Sequence, residues 1–308
     1  MKSVFKSSVM GMVLCGLTAC GGGSEGGPTS VSQTGEQAGS ATPSPTPTPT
    51  PASSPTPAPT SSPTPTSATT EDRLVLSDNT LYAPGNYFAY AAPWCATYDP
   101  ALIVGQTITD TISIMRSTFP NDVIISAKAP DRYPTVTKCG VYGYNAITFG
   151  HYLSVNNAAT MQSRQVKNIK TLTATFDMTL SGDGEYNILT ESFLTGAAKD
   201  FDTKLEVGFY SHSTTGSASF AKSGTAIGTY VDAAGRNWTV TRVDQFVMFL
   251  YSGGTLLSGT LDLKSAFAFL VARGVLTGNE WFNGVSVGME PMRGNGLATI
   301  HSWSVSYE

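Results

Sequence analysis

Three glutamates occur where strand alternation would present carboxylates on one side of an extended chain. In GVSVGMEP (Gly284 to Pro291), Val285, Val287 and Met289 fall on one side, and Gly284, Ser286, Gly288 and Glu290 on the other. Pro291 biases Glu290 toward an extended backbone and withholds a ladder hydrogen bond, so the carboxylate ends a rigid segment. Gly288 has no side chain, which lets another group lie close over that face. KLEVGFYSH (Lys204 to His212) repeats the arrangement: Leu205, Val207 and Phe209 oppose Glu206, Gly208, Tyr210 and His212. A third acid, Glu191, shares a face with Asn187, Leu189 and Phe193 in EYNILTESF. A lone strand glutamate is ordinarily a solvated outward residue. Three on strand faces in a chain with 13% charged residues suit general acid–base work, in which one carboxyl gives a proton while another carries charge.

The elements that position them are short and alternating. TLTATFDMTL (Thr171 to Leu180) and EYNILTESF are separated by Gly182–Gly184 and read as a hairpin. GTYVDAAGRNWTVTRV turns at Ala234 and Gly235, and QFVMFLYS and LATIHSWSVSYE supply further strands. One segment departs from this pattern. In LDLKSAFAFLVARG the apolar residues Leu263, Ala266, Phe267, Leu270 and Val271 follow helical spacing, with Asp262 as cap and Gly274 as stop. The expectation is an all-β sandwich or barrel with one helix.

The first 70 residues are of another kind. Lys2 and Lys6 precede a short apolar run, Val9 to Leu17, which ends in LTAC; this is the form of a secretory signal over residues 1–19. Its ending resembles a bacterial lipobox, which implies a lipid on Cys20 and, with Gly21 following, an outer-membrane or cell-surface destination. Residues 20–70 hold the Pro/Thr tract TPSPTPTPTPASSPTPAPTSSPTPT, a polyproline II spacer able to reach roughly 80 Å. Residues 71–308 are long enough to bury one full core. A net charge of −4 and the lack of a basic stripe argue against nucleic acid. Cys95 and Cys139 form an even pair in an exported domain and are expected to be disulfide-bonded, a contribution of roughly 3–4 kcal/mol. No metal or other cofactor is expected, because His151, His212 and His301 form no ligand-spaced cluster.

From about Lys170 to Tyr307 the chain resembles glycoside hydrolase family 12, the compact β-jelly-roll endoglucanases and xyloglucanases. GMEPMRG (Gly288 to Gly294) is similar to that family's Gly-Thr-Glu-Pro-Phe-x-Gly, EVGFY to its Glu-hydrophobic-Met-Ile-Trp, and NILTESF to its Asn-Val-Ala-Tyr-Asp-Leu-Phe. The resemblance implies a concanavalin-like β-jelly-roll sandwich and a retaining endo-β-1,4-glucanase-like activity on β-glucan or xyloglucan, carried out by a monomer on a β-linked polysaccharide. It implies Glu206 as nucleophile, Glu290 as acid and base, and Glu191 as the group orienting Glu206. AAPWC echoes another family motif and offers Trp94; with Tyr210, Tyr142 and Tyr144 it is expected to stack on sugar rings. Met289, in the motif's threonine position, joins these substrate-binding residues, although alternation points it to the apolar side. Met289, Met292, Gly208 and Tyr210 depart from the family's residues. These changes leave room for a second reading, a glycan-binding lipoprotein on the same fold without catalysis.

Overall fold

The structure is a computed structural model that describes residues 72–308, apart from 153, 154, 156, 157 and 201. It is a two-layered β-sandwich. The first layer holds β1 (Arg73–Ser77), β4 (Thr109–Met115), β5 (Val123–Ala129), β8 (Leu172–Ser181) and β14 (Ser258–Asp262). The second holds β2 (Leu81–Tyr82), β3 (Tyr87–Tyr90), β6 (Asn145–Gly150), β7 (Arg164–Gln165), β9 (Glu185–Thr195), β10 (Thr203–His212), β11 (Thr225–Val231), β12 (Asn237–Val243), β13 (Phe246–Tyr251) and β15 (Trp281–Phe282). The last strand, β16 (Gly284–Tyr307), belongs to both. Its first half pairs with β6 and β9 in the second layer, and its second half with β5 and β8 in the first. The second layer therefore runs β2-β3-β6-β16-β9-β10-β13-β12-β11, antiparallel except for the parallel pair β10–β13.

Alternation fills the space between the layers. Ile188, Val207, Phe209, Val247, Phe249, Val285 and Val287 point inward from the second layer and meet Ile112, Ile125, Ala174, Phe176, Ile300 and Trp303 from the first. Helix α2 (Leu263–Ala272) lies where its periodicity predicts. Asp262 accepts from the Ser265 amide at its start, Gly274 follows with φ +69°, and Leu263, Ala266, Phe267 and Leu270 enter the main core, while Val271, the fifth residue of that spacing, is 38% exposed at the edge of the apolar face.

Two expectations are corrected. β8 and β9 do not form a hairpin: β8 pairs with β14 and β16, and β9 with β10, β15 and β16. The chain crosses between layers at Gly182–Gly184, where Gly182 adopts φ +115° and the Gly184 amide donates to the Asn295 carbonyl at 2.7 Å. A glycine turn permits either outcome, and the bend in β16 beside it decides for the crossing. There is also a second helix, α1 (Thr215–Ser223), which directly follows β10.

Candidate active site

The three glutamates sit on adjacent strands in the order β16-β9-β10. Register places Glu290 opposite Asn187, Ser286 opposite Glu191, Gly208 opposite Glu191 and Glu206 opposite Phe193. Alternation then puts Asn187, Glu191, Glu206 and Glu290 on one face, turned away from the main core. Tyr210 pairs with Leu189 between the levels of Glu206 and Glu290; burial first, and the fields of all three carboxylates after it, raise its pKa. The acids are well shielded from water: Glu191 is 4% exposed and Glu290 9%, and Glu206 is half-buried.

Each carboxyl has a different partner. Asn187 Nδ2 donates to Glu290 Oε2 at 3.0 Å. The Tyr152 hydroxyl donates to Glu191 Oε1. Glu191 and Glu206 share a hydrogen bond. Tyr144 Oη donates to the Leu189 carbonyl at 3.0 Å and lies 3.0 Å from Ser286 Oγ. Its ring fills the space above Gly288, where a Cβ would stand 2.8 Å from Tyr144 Cε2. The close neighbour that Gly288 admits is thus the protein's own Tyr144.

Burial sets the electrostatics. Desolvation is the first cause raising all three acids: Glu290 to about 7, Glu206 to about 8, and Glu191 well above the usual carboxylate range. Glu191 therefore keeps its proton and donates it within the shared bond, which favours the charged form of Glu206. The Asn187 amide favours charge on Glu290. The charge on Glu290 in turn raises Glu206. Each member of the pair thus has its own donor favouring the charged form, Asn187 for Glu290 and Glu191 for Glu206. Tyr144, Tyr152 and Tyr210 are pushed up chiefly by burial and remain hydroxyl donors. Among the described residues, no group of three His, Cys, Asp or Glu side chains is arranged to hold a metal ion.

The other expected residues divide. Tyr144 is at the site and half-buried. Trp94, also half-buried, packs against the Cys95–Cys139 cluster, on the segment whose Ala92 carbonyl accepts from the Tyr144 amide at 3.0 Å. Cys95 and Cys139 are bonded, with Cα atoms 5.6 Å apart. Three assignments as sugar-contacting side chains are corrected. Tyr142 is fully buried in the disulfide cluster, its hydroxyl held by the Arg132 carbonyl at 2.8 Å, so its ring has no face free for a sugar. Tyr210 is buried beneath α1 with Leu189, Phe246 and Met248; it contributes a field-coupled hydroxyl and no stacking platform. Met289 is fully buried in the main core, where alternation points it. Cys20 lies outside the described residues.

Sequence reasoning missed the partners. Asn187 had been placed on the correct face but given no role. Tyr152 follows β6 on an irregular segment, where no periodicity points to a carboxylate on β9. The row Gly288–Ala146–Tyr90 extends the same face across β6 and β3, so Tyr90 flanks the site too.

No model of a known family and no curated protein matches this sequence. Solved structures do. A family 12 xyloglucanase from Bacillus licheniformis, solved in complex with ligand, superposes with a TM-score of 0.60 at 16% identity, over 77% of this chain and 99% of that one. Endoglucanase 3 of family GH12 from Trichoderma harzianum gives 0.56 at 15% identity, over 77% and 98%. The xyloglucanase domain of a type three effector from Sinorhizobium fredii, in complex with cellobiose, gives 0.52 at 15% identity, over 76% and 99%. At such identities the likeness is one of fold: the chain is built on the β-jelly-roll of the family 12 glycoside hydrolases.

Proposed function

We propose that the protein is a retaining glycoside hydrolase of β-1,4-linked glucan or xyloglucan, with endo-β-1,4-glucanase-like machinery, acting as a monomer held at the bacterial surface by a lipid on Cys20. The observation that carries this reading is the Glu206–Glu191–Glu290 constellation on one sheet face. Glu206, ionised, attacks the anomeric carbon; the bond to the leaving oxygen breaks as Glu290 gives that oxygen its proton. Glu290, now charged, takes a proton from water, and the water releases the glycosyl group from Glu206. Glu191 holds Glu206 in position and steadies its charge through the shared hydrogen bond. Tyr152 fixes Glu191 from the other side. Burial around the pair strengthens every charge interaction in the reaction.

The test is reducing-sugar release from a panel of β-glucans and xyloglucan by the wild type, Glu206→Gln and Glu290→Gln, with the anomer of the first product followed by NMR. Release by the wild type with retention, lost in Glu206→Gln, supports the reading. Full activity in both variants would dismiss the site. The burial of Tyr142 and Tyr210 favours a second reading, glycan binding without cleavage. It would replace the first if the folded wild type retained β-glucan in a pull-down but cleaved none.

A further inference from the structure

A polysaccharide lying across the strands of the second layer meets β16, β9 and β10 at the glutamates. From there it can continue over β6, β3 and β2, or over β13, β12 and β11. The two directions differ. Phe246, Met248 and Leu250 on β13 pair with Glu206, Gly208 and Tyr210, so they share the glutamate face, and all three are buried. Helix α1 buries them. Its Ala221 joins Leu189, Tyr210, Phe246, Met248 and Leu250 in a second apolar cluster, with Ala218 and Phe220 packed against it.

The helix is fastened at both ends. At its start the Thr214 hydroxyl accepts from the Ser217 amide at 3.0 Å, and the Thr214 amide donates to Asn187 Oδ1 at 3.2 Å. At its end the Thr241 hydroxyl of β12 donates to the Ala221 carbonyl. Each large apolar side chain under it gains about 1.5–3 kcal/mol from burial, so the helix does not lift to admit a sugar. In the other direction the face continues through Gly288, Ala146 and Tyr90, with Tyr144 over Gly288. Tyr144 and Tyr90 are each half-buried there, leaving ring area to contact pyranose C–H groups.

We infer that α1 ends the substrate groove about one strand spacing beyond β10, so that the polysaccharide is held over Tyr144 and Tyr90 on the other side and cut at a fixed short distance from one of its ends. One spacing is roughly 5 Å, room for about one pyranose ring. The inference rests on the hydrolase reading above and departs from it in one respect: the same retaining machinery cuts near a chain end and not at internal bonds.

The test uses the full-length protein on cello-oligosaccharides and xyloglucan oligosaccharides of increasing length, tagged at the reducing end, with early products read by mass spectrometry. The expected result is the same short fragment from every substrate, and a slow fall in the viscosity of soluble polymer for each bond cleaved. Early products of all lengths with a steep fall in viscosity would overturn the inference and leave the hydrolase reading standing. A folded protein that cleaves none of the panel would overturn both. Tyr90→Ala provides an independent readout: KM for the longer substrates is expected to rise several-fold while kcat and fragment length hold. An unchanged KM would remove the β3 direction, and the inference with it.

Discussion

On the proposed hydrolase reading, the pH dependence of cleavage follows from the burial of the carboxyl pair, and Glu290→Gln is the perturbation that isolates it. With Glu290 at about 7 and Glu206 at about 8, the singly ionised pair is the competent form. It peaks near pH ~7.5 at roughly 60% of the enzyme, and activity falls tenfold per unit beyond each limb. Within that form, catalysis needs the charge on Glu206 and the proton on Glu290. Asn187 favours charge on Glu290, and the Glu191 donor favours it on Glu206. In Glu290→Gln the proton donor is gone, and polysaccharide cleavage should drop by about 10²–10⁴-fold. A dinitrophenyl glycoside needs no such proton, so its first step should persist and the alkaline limb should vanish. The acidic limb is then set by Glu206 alone; it should lie below 8, because the like charge that raises Glu206 has been removed, and above the ordinary carboxylate range, because burial remains. The assay is initial rate against pH from about 5 to 9 for both proteins on both substrates. A wild-type bell centred near pH 5, or an alkaline limb that survives in Glu290→Gln on the activated substrate, would refute the reasoning.

Other outcomes are equally concrete. Tyr152→Phe removes the donor to Glu191 and should lower kcat by roughly 10–100-fold, the worth of a hydrogen bond to a charged network, with KM and melting temperature nearly unchanged; steady-state kinetics decides it. Asp110 is 1% exposed, both its oxygens lack hydrogen-bond partners among the described residues, and burial raises it from 3.8 to about 8. Its native form holds a proton that the unfolded form loses above about pH 4, so its contribution to stability falls as pH rises toward 8, by ~1.4 kcal/mol per unit. Asp110→Asn should flatten that slope in denaturant titrations, and an identical slope would exclude Asp110 as the source. Replacing Cys95 and Cys139 together by alanine should lower stability by about 4 kcal/mol, the loop-closure value for a separation of 44, checked by urea unfolding. Cys20→Ser should move the protein from the membrane fraction to the soluble one, read by fractionation and immunoblot.

The glutamates were legible because strand alternation is local. A carboxylate, a glycine two residues away and an opposing apolar row declare a face whatever the rest of the fold does, and Pro291 marks where β16 loses its regular pairing, with a register shift directly after it. The same rule placed Met289 correctly in the core, where motif likeness alone had assigned it to substrate. The hairpin failed because its one signal was a glycine turn, and such turns look alike whether the strands pair or separate. Helix α1 gave no usable signal. TGSASFAKS is rich in glycine, serine and threonine, which favour a helix weakly, and its apolar residues are few and small apart from Phe220. That helix forms because Tyr210, Met248 and Leu250 need cover, a demand set by residues on other strands.

The site's chemistry has the same origin. A carboxylate in water titrates near 4.5, and neither EVGFY nor GMEP contains anything to change that. Desolvation is the first cause of the shift at Glu191, Glu206 and Glu290 alike. The shielding comes from segments distant in sequence: Tyr152 after β6, Tyr144 before it, and Asn187 on β9, itself held by the amide at the start of α1. Asn187 thus joins two tasks. Its Nδ2 favours charge on Glu290, and its Oδ1 accepts from the Thr214 amide at the start of α1. A shift of α1 would move a donor that favours the charged form of Glu290. The length of the groove and the protonation of the acid are therefore coupled through one side chain.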